Sequence, residues 1–296
     1  MRYVSVLASI VCASSIACVD DGKEETGDLA SADAIAGTPS IEILGTSGDG
    51  LSVPRDLEFH PDRPEELWVV NQETDGMVIL FEPGTGTQTS EDRVDSFAEH
   101  FMEEVSSLAF GVTDDTVDDH PISTFGTCQE SRNTYNDQAP PNDFMGPALW
   151  PGDLDLFAEV HQTGLGSHID MLHSSPMCVG MAHDARNKYW VFDGQNGVLT
   201  WYDFQVPHGY GEDDHSDGMI RRYVDVALNR VPDVPGHIAV DDAGLLYIAN
   251  TGEGQLLVVD PRNAVEGDAI PLLFEPLEEY TEYVGASVAT LGDGLD

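Results

Sequence analysis

Beyond residue 40 the chain is a succession of short, β-rich apolar runs broken by Gly, Asp, Asn and Pro, the pattern of strands and turns. Only Glu91 to Glu104 looks like an amphipathic helix of about a dozen residues, and its pattern is weak. Three segments align with little gapping: RDLEFHPDRPEELWVVNQETDGMVILFEP from Arg55, VGMAHDARNKYWVFDGQNGVLTWYDF from Val179, and GHIAVDDAGLLYIANTGEGQLLVVDP from Gly236. Leu57, Met181 and Ile238 correspond in them, as do Trp68, Trp190 and Tyr247, then Val70, Phe192 and Ala249. Asn71, Asp193 and Asn250 close the second run, and a turn with Gly76, Gly197 or Gly254 leads into a third. A fourth copy opens at VSSLAFG, from Val105. Starts recurring every ~50–70 residues predict a repeat architecture. Each unit is a small antiparallel meander that cannot bury both faces alone. Stacked radially, the units share a core and hide their edges, which predicts an all-β propeller of four-stranded blades. In that arrangement Trp190, Trp201, Tyr202 and Tyr223 belong between blades, and Asn71, Asp193 and Asn250 are turn formers.

The segment from Gly236 resembles NHL-type repeats, and the likeness covers 54–83 and 168–262. The resemblance implies a propeller that usually has six blades. On that basis 41–296 reads as the front part of a longer propeller or an open form completed by a partner; a compact ring of four or five blades is the other reading. It implies little about function, since one fold hosts many. Ser123 to Gly166 interrupts the repeat with a turn-rich DQAPPND and the aromatic run DFMGPALWPGDLDLF. So long an excursion, carrying Phe144, Leu149, Trp150 and Phe157, is expected to fold as a cover over one propeller face.

The first residues change the picture of where the protein works. MRYVSVLASIVCASSIAC has one Arg, a short apolar stretch and small residues before Cys18, as in a secretory signal. Ser15-Ile16-Ala17-Cys18 resembles a bacterial lipobox, with Ser where Leu is usual. It implies lipidation of Cys18, an exported outer-membrane lipoprotein, and membrane contact only through that anchor; a plain signal peptide (1–18) is the alternative. Residues 19–40 are acidic and Gly/Ala-rich, a solvated tether. With Cys12 in the signal, Cys128 and Cys178 remain, and export favours one disulfide between them over two buried thiols. It would tie the cover to the third repeat. A formal charge of −42, with only two lysines, disfavours nucleic-acid partners, because phosphate contacts need a basic surface. Such mutual repulsion is tolerable in high salt or with divalent cations.

Candidate chemistry gathers around Ser167 to Gly218, which holds His168, His173, His183, His208 and His215. SHIDMLH supplies His168, Asp170 and His173, and the following Ser-Ser-Pro favours a loop in which they can converge. Ser167, His168 and Asp170 have triad composition but are too close in sequence to act as one. GEDDHSDG supplies Asp213, His215 and Asp217. It mimics the first half of an EF-hand, yet Val224 stands where the loop's last ligand should be Glu, leaving a looser Ca²⁺ loop or a solvated acidic turn. His237 opens an inner strand, near the mouth expected of a central channel, where Asp56, Ser107 and Gly180 are its equivalents. VPGHIAVDDAGLLYIAN is similar to the VPHxLAL-type segment of peptidyl-α-hydroxyglycine α-amidating lyases, with His237 displaced by one position. In those six-bladed propellers channel histidines hold zinc beside a structural calcium. His168, His215 and His237 could form a three-imidazole Zn²⁺ site with an open position for water; each alone is otherwise a hydrogen-bonding histidine. Two functions are expected. One is an exported propeller binding a small-molecule ligand, a divalent cation or a protein partner at its mouth. The other is a metal-dependent enzyme on that mouth, amidating-lyase-like or like gluconolactonase-related propellers, whose metal is held by Glu, Asn and Asp.

Overall fold

The repeats pair in the register their alignment implies. In a computed structural model describing residues 42–114, 117, 121–159 and 164–294, blade 1 is a meander of β1 (Pro54–Phe59), β2 (Glu66–Asn71), β3 (Gly76–Phe81) and β4 (Thr89–Arg93). After a short helix α1 (Ala98–Phe101), blade 2 is β5 (Val105–Asp114), β6 (Ile122–Gln129), β7 (Ala148–Pro151) and β8 (Asp170–Met171). Blade 3 begins with β9 (Met181–His183), β10 (Lys188–Asp193), β11 (Val198–Asp203) and β12 (Met219–Ala227), and blade 4 with β13 (Ile238–Val240), β14 (Leu246–Asn250) and β15 (Gln255–Asp260). Trp68 pairs with Glu58, Trp190 with Ala182 and Tyr247 with Ala239, the same cross-strand position in three blades. Four small sheets thus form a four-bladed β-propeller whose innermost strands β1, β5, β9 and β13 neighbour one another in turn. The expected signal at 1–18, the tether at 19–40 and the lipid site Cys18 lie outside the described residues.

Hydrophobic cores sit between blades. Trp68, Phe125, Trp150 and Phe157 fill the junction of blades 1 and 2, with Trp68 and Phe125 rings 5.2 Å apart. Tyr189, Tyr202, Leu149 and Leu172 fill the next junction, and Trp190, Trp201, Tyr223, Ile248 and Val259 the one after. Strands β2, β3, β10 and β11 are buried on both faces for this reason, whereas β14 buries only alternate residues. The three strand-end residues do more than turn the chain. Asn71 and Asn250 each accept an N–H from the connection preceding their own blade, Ser52 at 2.6 Å and Asn229 at 2.7 Å. Asp193 accepts from Asn196 and from the Ser175 hydroxyl.

Two expected elements differ from the sequence reading. The segment 123–166 is not a separate cover: most of β6 and all of β7 lie in it as central strands of blade 2, joined by long connections. Its aromatic residues suit strands between two blades as well as they suit a cover. Glu91 to Glu104 holds the end of β4 and the single turn of α1 rather than a dozen-residue helix. The disulfide does form. Cys128 on β6 and Cys178, just before β9, are bonded with Cα atoms 5.8 Å apart, joining blade 2 to the start of blade 3.

Blade 4 departs from the simple meander. After β15 the chain crosses to blade 3, where β16 (Val265–Ala269) and β17 (Glu279–Val284) extend that sheet, β17 lying parallel to β12. The chain then returns as β18 (Ser287–Asp293), the fourth strand of blade 4. This strap is held by Arg221, which donates twice to Glu279 at 2.9 Å and lies over the rings of Trp201 and Tyr283. It carries the loop 270–278 to the side chains described next.

Candidate metal centre

Three connections meet beside the outer strands of blades 2 and 3. The approach to β8 brings His168, and the exit from it brings His173. The β11–β12 connection brings His208 and His215, and the strap brings Glu275. Two overlapping groups have one donor atom per residue, all within 4.8 Å of one another: His168, His208 and His215; and His173, His215 and Glu275. Ring centroids are 5.1 Å apart for His168 and His208, and 5.2 Å for His208 and His215.

Backbone geometry sets these loops. Gly166 and Gly211 both adopt positive φ, 78° and 65°, and Gly211 approaches so closely that an added Cβ would lie 2.8 Å from the Gly166 carbonyl oxygen. Both positions therefore call for glycine. The Gly211 N–H donates to the His168 carbonyl at 2.8 Å, locking the two histidine loops together. Asp95, just before α1, accepts the Ser167 N–H and hydroxyl, and the His168 ring stacks on Phe101 at 3.9 Å. The Glu278 N–H donates to the Gly218 carbonyl, fixing the strap loop to the β11–β12 connection.

The hydrogen bonds assign the ring nitrogens. His168 Nδ1 donates to the Leu165 carbonyl at 2.9 Å and His208 Nδ1 to the Gly209 carbonyl at 2.7 Å, because a carbonyl can only accept. His215 Nδ1 donates to the Glu275 carboxylate at 2.8 Å. With Nδ1 the donor, the nitrogen left to accept in each ring is Nε2, and all three Nε2 atoms are buried without a hydrogen-bond partner. Burial pushes His168 well below its ordinary pKa and lowers His208, with the neighbouring imidazoles acting in the same direction. Three buried acceptors without a donor, on rings grouped this closely, are costly. A divalent cation satisfies all of them at once, and Glu275 behind His215 is the carboxylate–histidine arrangement that orients metal ligands. The residues present therefore fit a transition ion.

Around this group, His173 Nε2 stands 3.2 Å from Glu275 Oε2 and its ring lies against Phe144. Asp170 is fully buried, and its Oδ2 has no hydrogen-bond partner; burial, followed by the charges of Asp217, Glu275 and Asp214, holds the carboxyl well above its usual range. His100 stacks between Tyr135 and Phe144, and burial pushes it down to about 4, with help from His173 and His215.

Of the seven side chains expected to converge, His168, His173 and His215 belong to these groups, and Asp170 adjoins them electrostatically. Asp213 is exposed, and Asp217 accepts the Val206 N–H at 3.2 Å within its own loop. His237 stands apart on the inner-strand side, its Nδ1 3.5 Å from Asp56 of blade 1. The convergence is thus built from connections to outer strands, not from inner-strand residues. His208 and Glu275 are the members the sequence reading missed. His208 carried a signal, since it lies in the same histidine-rich stretch. Glu275, in PLLFEPLEEY, carried none.

The fold and this cluster together define an all-β propeller bearing a histidine-rich candidate metal centre at the junction of two blades. No family model matches the chain, and no curated protein matches it.

Proposed function

We propose that the protein is an exported, metal-binding β-propeller whose divalent transition ion is held by Nε2 of His168, His208 and His215. The observation that carries this reading is the grouping of three imidazoles with donor atoms within 4.8 Å of one another, each ring oriented by a hydrogen bond at Nδ1 and each with its Nε2 buried and unpartnered. An all-imidazole donor set suits zinc, copper or nickel better than calcium or magnesium, which favour oxygen. His168 has no exposed surface, and His208 and His215 are each 9 % exposed. That burial supports an ion retained to fix the blade 2–blade 3 junction and its strap. An enzyme in which a fourth ligand position takes substrate is the second reading, and it rests on the open position that three protein ligands leave. The NHL-type repeat likeness, the lipid anchor at Cys18 and the placement in an outer membrane remain parts of this proposal, carried by the sequence segments given above.

Metal analysis of the purified protein tests it. Zinc, copper or nickel is expected in at least stoichiometric amount, and His208→Ala should lose an ion while keeping the β-sheet circular dichroism of the wild type. A wild-type protein free of transition metal after expression and after zinc loading would sink the reading.

A further inference from the structure

Glu275 faces two imidazoles, not one. Its Oε2 lies 2.8 Å from His215 Nδ1 and 3.2 Å from His173 Nε2, and the three donor atoms fall within 4.8 Å of one another. His215 therefore belongs to two donor groups: its Nδ1 lies against Glu275, while its other nitrogen, Nε2, is buried without a hydrogen-bond partner and is left for the group shared with His168 and His208. The second group also holds an unsatisfied acceptor: Glu275 Oε1 is buried with no hydrogen-bond partner. A single ion bound by the three imidazoles of the first group leaves that carboxylate oxygen without one, and buried charge is tolerated only when it is paired or coordinates a metal.

We propose a second divalent-cation position, ligated by His173, Glu275 and His215 Nδ1, so that His215 bridges two ions. The proposal rests on the first position being a metal site, as argued above. In the doubly loaded state the His215 ring bears an ion on each nitrogen, and its Nδ1 proton passes to solvent as the second ion binds. Glu275 changes from hydrogen-bond acceptor to ligand at that step. Its carboxylate supplies negative charge that the first, all-imidazole position lacks. The strap loop from blade 4 then contributes a ligand directly and does not only orient one.

The test is zinc stoichiometry of the full chain, loaded with zinc, desalted and analysed by mass spectrometry for metal. Wild type should hold two ions per chain. His173→Ala should hold one, and so should His208→Ala, each keeping the wild-type circular dichroism; His173→Gln serves if the alanine variant misfolds. Cobalt substituted for zinc should show magnetic coupling in the wild type that both variants lose. One ion in wild type that persists unchanged in the His173 variants overturns the second position while leaving the first intact. No ion in wild type instead brings down the metal reading as a whole.

Discussion

Stripping the metal should lower the thermal stability of the propeller by an amount that free-ion concentration controls. The three ligands of the first position come from two connections far apart in sequence, so the unfolded chain offers no preformed site and the ion binds the folded state. Mass action then gives a stabilisation of about 4 kcal/mol when free zinc stands 1,000-fold above its dissociation constant. For a domain of this size each kcal/mol moves the melting temperature by roughly 2–4 °C, so removal of the ion should lower it by roughly 8–16 °C. The assay is thermal unfolding followed by circular dichroism, in zinc-buffered solution and after dialysis against a chelator. Wild type should lose the full increment. His208→Ala should melt at one temperature in both conditions, apart from any smaller effect of the second position. Equal sensitivity of His208→Ala and wild type to chelator would refute the reasoning, because the stabilising ion would then be elsewhere.

Further predictions follow from the packing and the buried charges. Glu130 holds both Arg55, in a buried ion pair, and Arg230 at 2.5 Å. Glu130→Ala leaves Arg55 uncompensated and should cost about 3–5 kcal/mol in urea unfolding. Trp150 is fully buried, donates to Thr127 Oγ1 at 2.8 Å and meets the Phe157 ring edge-on; Trp150→Ala should cost about 3–5 kcal/mol by the same assay. Replacing Cys128 and Cys178 together by Ala opens a loop with a sequence separation of 50, and chain entropy puts the loss near 4 kcal/mol. In metal-free protein, burial lowers His168, His173 and His208 below 6.5, so the unfolded chain takes up protons there before the folded one does. Their contribution is intact above about pH 6.5 and is lost as pH falls toward their lowered folded values. Asp170 and Asp193, raised by the same burial, act with the opposite sign, losing stability as pH rises above 3.8. The stability difference between wild type and His168→Gln, followed from pH 7.5 to 5, isolates the histidine effect. It should shrink on acidification, and a difference independent of pH would contradict the neutral, buried ring.

What could be read from the residues was local. Trp68, Trp190 and Tyr247 occupy one cross-strand position because each repeat closes its own hairpins, and hairpin register is written in neighbouring residues and turns. His168, His173 and His215 drew notice because they crowd one stretch. Glu275 could not, since its place depends on β16 and β17 joining the sheet of blade 3 instead of blade 4, a long-range choice with no local mark. For the same reason 123–166 looked like an excursion. Its strands β6 and β7 are separated by a connection of unusual length, which hid the repeat. His237 stands just before the inner strand β13 and meets Asp56 on the inner strand β1, whereas the histidine cluster lies on the outer connections.

The most direct test of the central claim is anomalous diffraction at the zinc edge from crystals of zinc-loaded protein. A strong peak is expected about 2.0 Å from Nε2 of each of His168, His208 and His215, at the distance of zinc–imidazole bonds. Zinc found only on surface carboxylates, with no anomalous density among those three rings, would contradict it.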